Sequence, residues 1–397
     1  HGLRDGLAPS IGLDPENLRV VAPWVGGGFG PKAGLYIEHI LCAKAAQELN
    51  TPVKWTEQRG ENMLAMAQGR AMVMNAELGV NNDGSIVGLK ARVVADAGAY
   101  PAIGAILPML TMQLSQAVYN IPAIDFFAQS VVTNTTFIGA YRGAGRPEAT
   151  QMVERILDKA ANAIGMDPAE LRRKNYLQPD AFPLTTLVGA NYDSGEYERS
   201  LDAVLEASGY ADLRAEQARR RESDDPKLLG IGVSSYVEVT APIGLHVEYG
   251  SCEINDDGSA TIKVGTSSHG QGHDTAFSMI VNDVLGIPMD EVNHVDADTE
   301  EVARGAGTLG SRSLQAGGSA IYEASQVVLE KGKQLAASLL EASAEDIVVG
   351  EGALQVAGVP AKSISWADLA SAAVEQEIEG GLANELDFDG SDATYPF

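Results

Sequence analysis

Val25-Gly26-Gly27-Gly28-Phe29-Gly30-Pro31-Lys32 lies between a strand-like run, Leu18-Arg19-Val20-Val21, and a helix-like run from Leu35 to Leu49. Glycine permits a tight turn and lets a ligand approach main-chain N–H groups with no Cβ in the way. A helix that starts just beyond adds free N–H groups suited to an anion. Three later stretches have the same character: Gly139-Ala140-Tyr141-Arg142-Gly143-Ala144-Gly145-Arg146-Pro147, Ser268-His269-Gly270-Gln271-Gly272-His273-Asp274-Thr275 and Gly305-Ala306-Gly307-Thr308-Leu309-Gly310-Ser311-Arg312-Ser313. The four are read as parts of one large cofactor site.

The periodicities around these loops predict a mixed α+β chain with mostly antiparallel strand pairs. Strands are expected at 70–80 and 86–96, joined by Asn81-Asn82-Asp83-Gly84-Ser85, a hairpin signal. A similar turn, Asn255-Asp256-Asp257-Gly258-Ser259, follows a strand pattern at 244–254, so both halves are expected to share local architecture. Further strands are expected at 53–56, 126–134, 229–240, 260–265 and 292–295, with a small hairpin at 347–349 and 353–356. Helices are expected at 35–49, 147–164, 197–208, 274–285 and 314–341. Asp167-Pro168-Ala169-Glu170 and Ser365-Trp366-Ala367-Asp368 read as capped helix starts. The charged stretch 211–227, with Arg219-Arg220-Arg221 followed by Asp224-Asp225, marks the expected boundary between two parts, 1–225 and 226–397.

The chain has 397 residues, 45% hydrophobic and 21% charged, a globular composition. Its net charge of −26 disfavours nucleic acid and anionic membranes, which require a basic footprint. No apolar run has membrane-spanning length, and a cytoplasmic location is expected. Cys42 and Cys252, the two cysteines, form no CxxC, so a self-contained iron–sulfur cluster or Cys-rich zinc site is not expected; both read as small core residues. The chain opens at His1 inside a helix-like run and stops at Pro396-Phe397, which suggests an internal piece of a longer protein.

Singly, each loop is ambiguous. GGGFG is neither GxGxxG nor a P-loop, since no Ser or Thr follows Lys32 in that frame. Arg142 and Arg146 suit paired hydrogen bonds to oxygen-rich groups, or a nearby acid. His269 and His273 stand four apart as in HExxH, but the glutamate is missing and Gly270 and Gly272 oppose a helix, leaving a zinc hydrolase a weak alternative. Thr308, Ser311, Arg312 and Ser313 offer a phosphate or pterin-amide cradle at a helix start.

In order and spacing, GGGFGPK, AYRGAGRPE, GQGHDT and GTLGSRS resemble the molybdenum-binding large subunit of the xanthine dehydrogenase and aerobic carbon monoxide dehydrogenase family, over essentially the whole chain. The resemblance implies that Gly28, Phe29 and Gly30 approach the molybdenum and its apical oxo group, and that Ala140, Tyr141, Arg142 and Gly143 lie beside the metal centre, with Phe29 and Arg142 nearest the chemistry. It implies that Gln271, Gly272, Thr308, Gly310, Ser311 and Arg312 hold the pterin and its phosphate tail. The implied cofactor is molybdopterin, in its plain or cytosine dinucleotide form, carrying the molybdenum through its dithiolene rather than through side chains. The implied activity is oxidative hydroxylation of an aldehyde or N-heterocycle with water as oxygen source. Electrons leave through an iron–sulfur small subunit and an FAD medium subunit, in a dimer of heterotrimers. Carbon monoxide-oxidising members carry a copper-binding cysteine, as AYRCSFR, where this chain has Gly143; that likens it to the form II relatives. The family's catalytic glutamate falls beyond Phe397, and Glu351, in a surface hairpin, is not its counterpart. This stretch alone is therefore expected not to turn over. A cofactor-free binding or assembly module is the alternative from another class.

Overall fold

A computed structural model describes residues 1–223, 225–241 and 244–391. Asp224 of the charged stretch, and Pro396 and Phe397, lie outside the described residues. The described residues divide into two units: a first comprising 1–28, 32–56 and 240–391, and a second comprising 29–31 and 57–239.

Helices α1 (Gly2–Ser10) and α2 (Ile37–Leu49) begin the first unit. Asn50 ends α2 in the left-handed conformation, φ 48°, as its amide side chain tolerates. None of the residues of α2 is buried. The strand expected at 18–21 reduces to a single bridge from Val21 to Asp298. Arg19 reaches Asp298 at 2.9 Å and Val20 N donates to Thr299 Oγ1, so this run pairs with a loop rather than a strand. Residues 53–56 form no strand either.

The second unit holds helix α3 (Arg59–Ala65) and the antiparallel hairpin β1 (Met72–Val80) and β2 (Ile86–Asp96). Asp83 accepts from Ser85 N at 3.0 Å and Asn81 N donates to Ser85 O at 2.9 Å, closing the expected turn. Helix α4 (Leu107–Gln113) leads to β3 (Ile124–Val131), which runs parallel to β2. Every second residue of β2 from Leu89 points inward, with Leu89, Ala91, Val93 and Ala95 buried. Helix α5 (Arg146–Ile164) lays Ala149, Met152, Val153 and Leu157 on β1. Removing this apolar surface from water stabilises the unit by about 25 cal/mol per Å². Helix α6 (Pro168–Asn175), the two-residue strands β4 (Leu184–Thr185) and β5 (Asn191–Tyr192), and helices α7 (Tyr197–Ser208) and α8 (Tyr210–Glu222) complete it. Residues 229–240 alternate like a strand but form none. Their backbone serves side chains instead: Ser235 N donates to the buried Glu154, and Val239 O accepts from Arg146.

The first unit resumes with the antiparallel hairpin β6 (Val247–Ile254) and β7 (Ala260–Val264). Its turn closes like the other, with Asn255 N on Ser259 O at 2.8 Å and Asp257 accepting from Ser259 N at 3.0 Å. Helix α9 (His273–Leu285) crosses to β8 (Val292–Val295), parallel to β7. A π-helical turn (Ser313–Gly318) opens α10 (Ser319–Leu340), which packs on β6. Strands β9 (Ile347–Gly350), β10 (Ala353–Val356) and β11 (Val359–Ser365) make a small sheet, one strand more than expected. Ser365 caps α11 (Trp366–Glu375) by accepting from Asp368 N, and β12 (Ala383–Asp389) joins the main sheet in the order β12-β6-β7-β8. Cys252 is in the core, its thiol pushed up to about 11 by burial, and Glu351 is exposed in the turn between β9 and β10.

The mixed α+β architecture is thus present, with two parallel strand pairs among antiparallel ones in the described residues. Both units run in one order: hairpin with an Asn-x-Asp-Gly-Ser turn, third strand parallel to the second, Gly-rich loop, long helix on the hairpin's first strand. Asp167 caps α6, accepting from Ala169 N at 2.8 Å while also receiving Tyr210 OH and pairing with Arg214. Asp167→Ala is expected to lower the unfolding free energy of the second unit by at least about 1 kcal/mol in urea titrations, and Asp167→Asn by less, since asparagine also caps.

Candidate functional site

In the first unit, three Gly-rich stretches meet. Gly28 lies against the His269 imidazole, where a Cβ would stand 2.8 Å from Nδ1. The third and fourth loops are tied by one hydroxyl: Thr308 Oγ1 accepts from Ser267 N at 2.8 Å and donates to Ser267 O at 2.6 Å. Asp296, just after β8, accepts from both Ser268 N and Ser268 Oγ, at 2.6 and 2.8 Å. Gln271 folds back, its Oε1 accepting from His269 N. Gly270 and Gly272 have φ of 95° and 82° and open space where a side chain would project, so bare backbone faces outward there. Gly310 and Ser311 are both left-handed, and Gly310 O accepts from Ala241 N at 2.9 Å.

Not every predicted residue of these loops presents itself. Arg312 has no exposed surface. Its guanidinium donates to Leu245 O, Gly307 O, Val247 O and the buried Glu248 carboxylate. Its donors are committed to protein atoms, so its place is beneath the loop. His273 is 4% exposed and begins α9, its ring 4.9 Å from that of Phe277. Burial first, then the neighbouring His294, holds its pKa down to about 4. His269 is also lowered, by burial and then by Lys32. Among the described residues, no three His, Cys, Asp or Glu side chains are grouped to hold a metal ion.

Among the first unit's buried polar atoms without hydrogen-bond partners are both ring nitrogens of His273, Thr266 Oγ1 and Gln315 Oε1. Each costs free energy unless something meets it. They lie in or beside the third and fourth loops. An extended, amide-rich group with donors and acceptors fits such a lining together with the bare backbone at Gly270 and Gly272.

In the second unit, Phe29-Gly30-Pro31 lies on the second loop. Arg142 N donates to Phe29 O at 2.7 Å, and the Arg142 guanidinium sits over the Phe29 ring, 5.4 Å from its centroid. Phe29 is left-handed, φ 54°, and 58% exposed. Gly30, φ 103°, passes so near Ala140 that a Cβ would stand 2.5 Å from its carbonyl oxygen. Tyr141 is covered by Arg70, 5.3 Å from the ring centroid. Arg142 is exposed and makes no ion pair among the described residues, whereas Arg146 pairs with Glu238 at 2.9 Å. Of the two arginines, only Arg142 is presented outward. Gly143 has φ of 108°, and a Cβ there would meet the Pro147 ring at 2.5 Å.

Sequence reasoning missed Glu248, Asp296 and Arg70. The signal for Glu248 was an acid in the same alternation phase as Gly250, Cys252 and Ile254 of β6, the phase that faces inward.

The molybdopterin cofactor-binding domain family matches residues 1–176, and its second form matches 203–396. The chain belongs to the molybdopterin-binding large subunits of the xanthine dehydrogenase and carbon monoxide dehydrogenase family. Its cofactor is molybdopterin with molybdenum. The carbon monoxide dehydrogenase large chain of Hydrogenophaga pseudoflava is 36% identical over 415 residues, covering 100% of this chain and 52% of that one. The nicotine 6-hydroxylase large subunit of Paenarthrobacter nicotinovorans is 34% identical, over 94% of this chain and 47% of its own. The crystal structure of quinoline 2-oxidoreductase from Pseudomonas putida 86 superposes with a TM-score of 0.90 at 32% identity, over 98% of this chain and 51% of that one. The chain spans about half the length of the curated relatives it matches. No helix among the described residues is long and apolar enough to cross a membrane.

The buried His273 gives a pH signature. Its folded pKa, about 4, lies below the ordinary value of 6.5, so the unfolded chain binds the extra proton first. Its stabilising contribution is complete above pH 6.5 and falls away as pH drops through the window to about 4. In urea titrations at stepped pH, His273→Phe is expected to flatten the part of the stability profile lying in that window.

Proposed function

We propose that this chain is the cofactor-binding part of a molybdenum hydroxylase large subunit, acting on an aldehyde or N-heterocycle with water as oxygen source. The bound cofactor supplies oxygen insertion and takes up two electrons. The chain's own groups bind and orient. Exposed N–H groups at Gly270 and Gly272, with Gln271, the Thr308 region and the left-handed Gly310-Ser311 turn, hold the pterin and its phosphate tail; Arg312 serves from beneath. Gly28, Phe29 and Gly30, with Ala140, Tyr141, Arg142 and Gly143, line the approach to the metal. There the unpaired Arg142 offers fixed positive charge to a developing anion. Electrons pass to an iron–sulfur small subunit and an FAD medium subunit, in a cytoplasmic dimer of heterotrimers. Within this reading the cofactor-binding region divides at 225/226, supported by the polar composition of 211–227.

The observation that carries the choice of substrate class is the backbone at Gly143. Carbon monoxide-oxidising members place a copper-binding thiolate at this position. Here φ is 108° and a Cβ would strike Pro147, so the loop has neither the thiolate nor room for one. Carbon monoxide oxidation is the second reading, favoured by the 36% identity to a carbon monoxide dehydrogenase large chain.

Elemental analysis of the full-length protein, purified with whatever subunits accompany it, separates these readings. Molybdenum and iron without copper, with reduction by aldehydes or N-heterocycles and none by carbon monoxide, is the expected result. Stoichiometric copper would overturn the substrate class. Arg142→Ala and Gln271→Ala are expected to lower molybdenum content severalfold; unchanged content would favour the binding module. Gly143→Cys is expected to reduce thermal stability and to recruit no copper.

A further inference from the structure

Each unit contains a glutamate–arginine pair that joins the start of its hairpin to its Gly-rich loop. In the second unit, Arg70 stands two residues before β1. It donates through Nη1 to Glu148 at 2.9 Å and through Nη2 to Arg142 O, inside the second loop. The other oxygen of Glu148 accepts from Gly145 N at 2.9 Å, in the same loop. In the first unit the charges are exchanged: Glu248 is on β6, and Arg312 stands just before the π-helical turn that opens α10. Arg312 donates to Glu248 and, at 3.0 Å, to Gly307 O, inside the fourth loop. In both units, therefore, one arginine binds a glutamate and a loop carbonyl at once. The acid is 3% exposed in one pair and 1% in the other.

A buried pair of this kind is weak evidence for stability, because desolvation offsets much of the attraction. A guanidinium, however, is a rigid fork that can hold two acceptors at fixed angles. Both pairs sit on Gly-rich backbone, which has much conformational freedom to lose. Neither glutamate has an exposed face with which to meet a ligand, and Arg312 has none either.

We infer that Arg70–Glu148 and Glu248–Arg312 are positioning pairs, one device built twice with opposite polarity, that set the backbone of the second and fourth loops independently of any ligand. The functional consequence rests on the proposal that these loops hold the cofactor; the locking itself does not.

Hydrogen–deuterium exchange on the full-length protein, with and without cofactor, tests the two parts separately. Arg70→Lys and Arg312→Lys keep a cation for the glutamate, but an ammonium cannot reproduce the fork to the loop carbonyl. Without cofactor, Arg70→Lys is expected to speed exchange about tenfold at 142–146, and Arg312→Lys about tenfold at 307–312, as for loss of one hydrogen bond. In each variant the other unit's loop and strands β2 and β7 should stay unchanged. Glu148→Gln, at the partly exposed pair, provides the same test should the fully buried pair not tolerate change. Unchanged loop exchange would overturn the inference, as would an equal rise throughout the unit, which signals global destabilisation. If the loops loosen while molybdenum retention stays at the wild-type level, the lock stands and the cofactor role of these loops falls.

Discussion

Gly265, at the end of β7, and Gly305, at the head of the fourth loop, cross so closely that a Cβ on either would overlap the other's Cα. Neither has a positive φ, so glycine is needed there for its missing side chain rather than for its freedom of rotation. The arrangement of the first unit's loops depends on this crossing. It brings Thr308 within reach of Ser267 and lets Arg312 reach a carboxylate on β6. The Glu248 carboxylate lies against the same point, so chain, charge and crossing are packed into one place. Wherever two loops must be neighbours to share a ligand, something has to hold their stems together; here it is the contact of two bare backbones.

Features written in short stretches were legible. The two Asn-x-Asp-Gly-Ser turns, the Asp167 and Ser365 caps, and the long helices after the second and fourth loops all depend on residues within a few positions of one another. Features that depend on distant partners were not. Strand β12 exists because Ala383–Asp389 pairs with β6, more than a hundred residues earlier in the chain. Residues 229–240 alternate convincingly, yet Glu154 and Arg146 claim their backbone groups from far away. The site shows the same division. Glycine spacing marked the loops, since positive φ and close approach are local demands. Burial was invisible: Arg142 and Arg312 both belong to Gly-rich loops, but one is exposed and the other is enclosed by a glutamate 64 positions distant.

The two units arrive at similar loops by the same chain order. A hairpin comes first, a parallel strand follows through a helical crossover, and a Gly-rich loop then feeds a long helix back onto the hairpin. That order delivers each loop to the N-terminal end of its helix, where unpaired N–H groups and the helix dipole favour negative charge. Arginines nonetheless sit in these segments of a chain of net charge −26. Arg146 and Arg312 are neutralised by their own acids, while Arg142 alone of the three keeps its charge available.

The π-helical turn at Ser313–Gly318 sets a phase. A π turn accommodates more residues than the 3.6 of an α turn, so everything ahead of it is rotated relative to the helix behind it. Deleting a single residue in this turn would let α10 continue backward as ordinary α-helix. The preceding segment would then swing by about 100° around the axis, the angle of one α-helical residue. Arg312, the residue just before the turn, would leave the face that meets β6 and point elsewhere. The length of that turn, counted in single residues, is therefore as strict a requirement as the identity of any side chain in the loop.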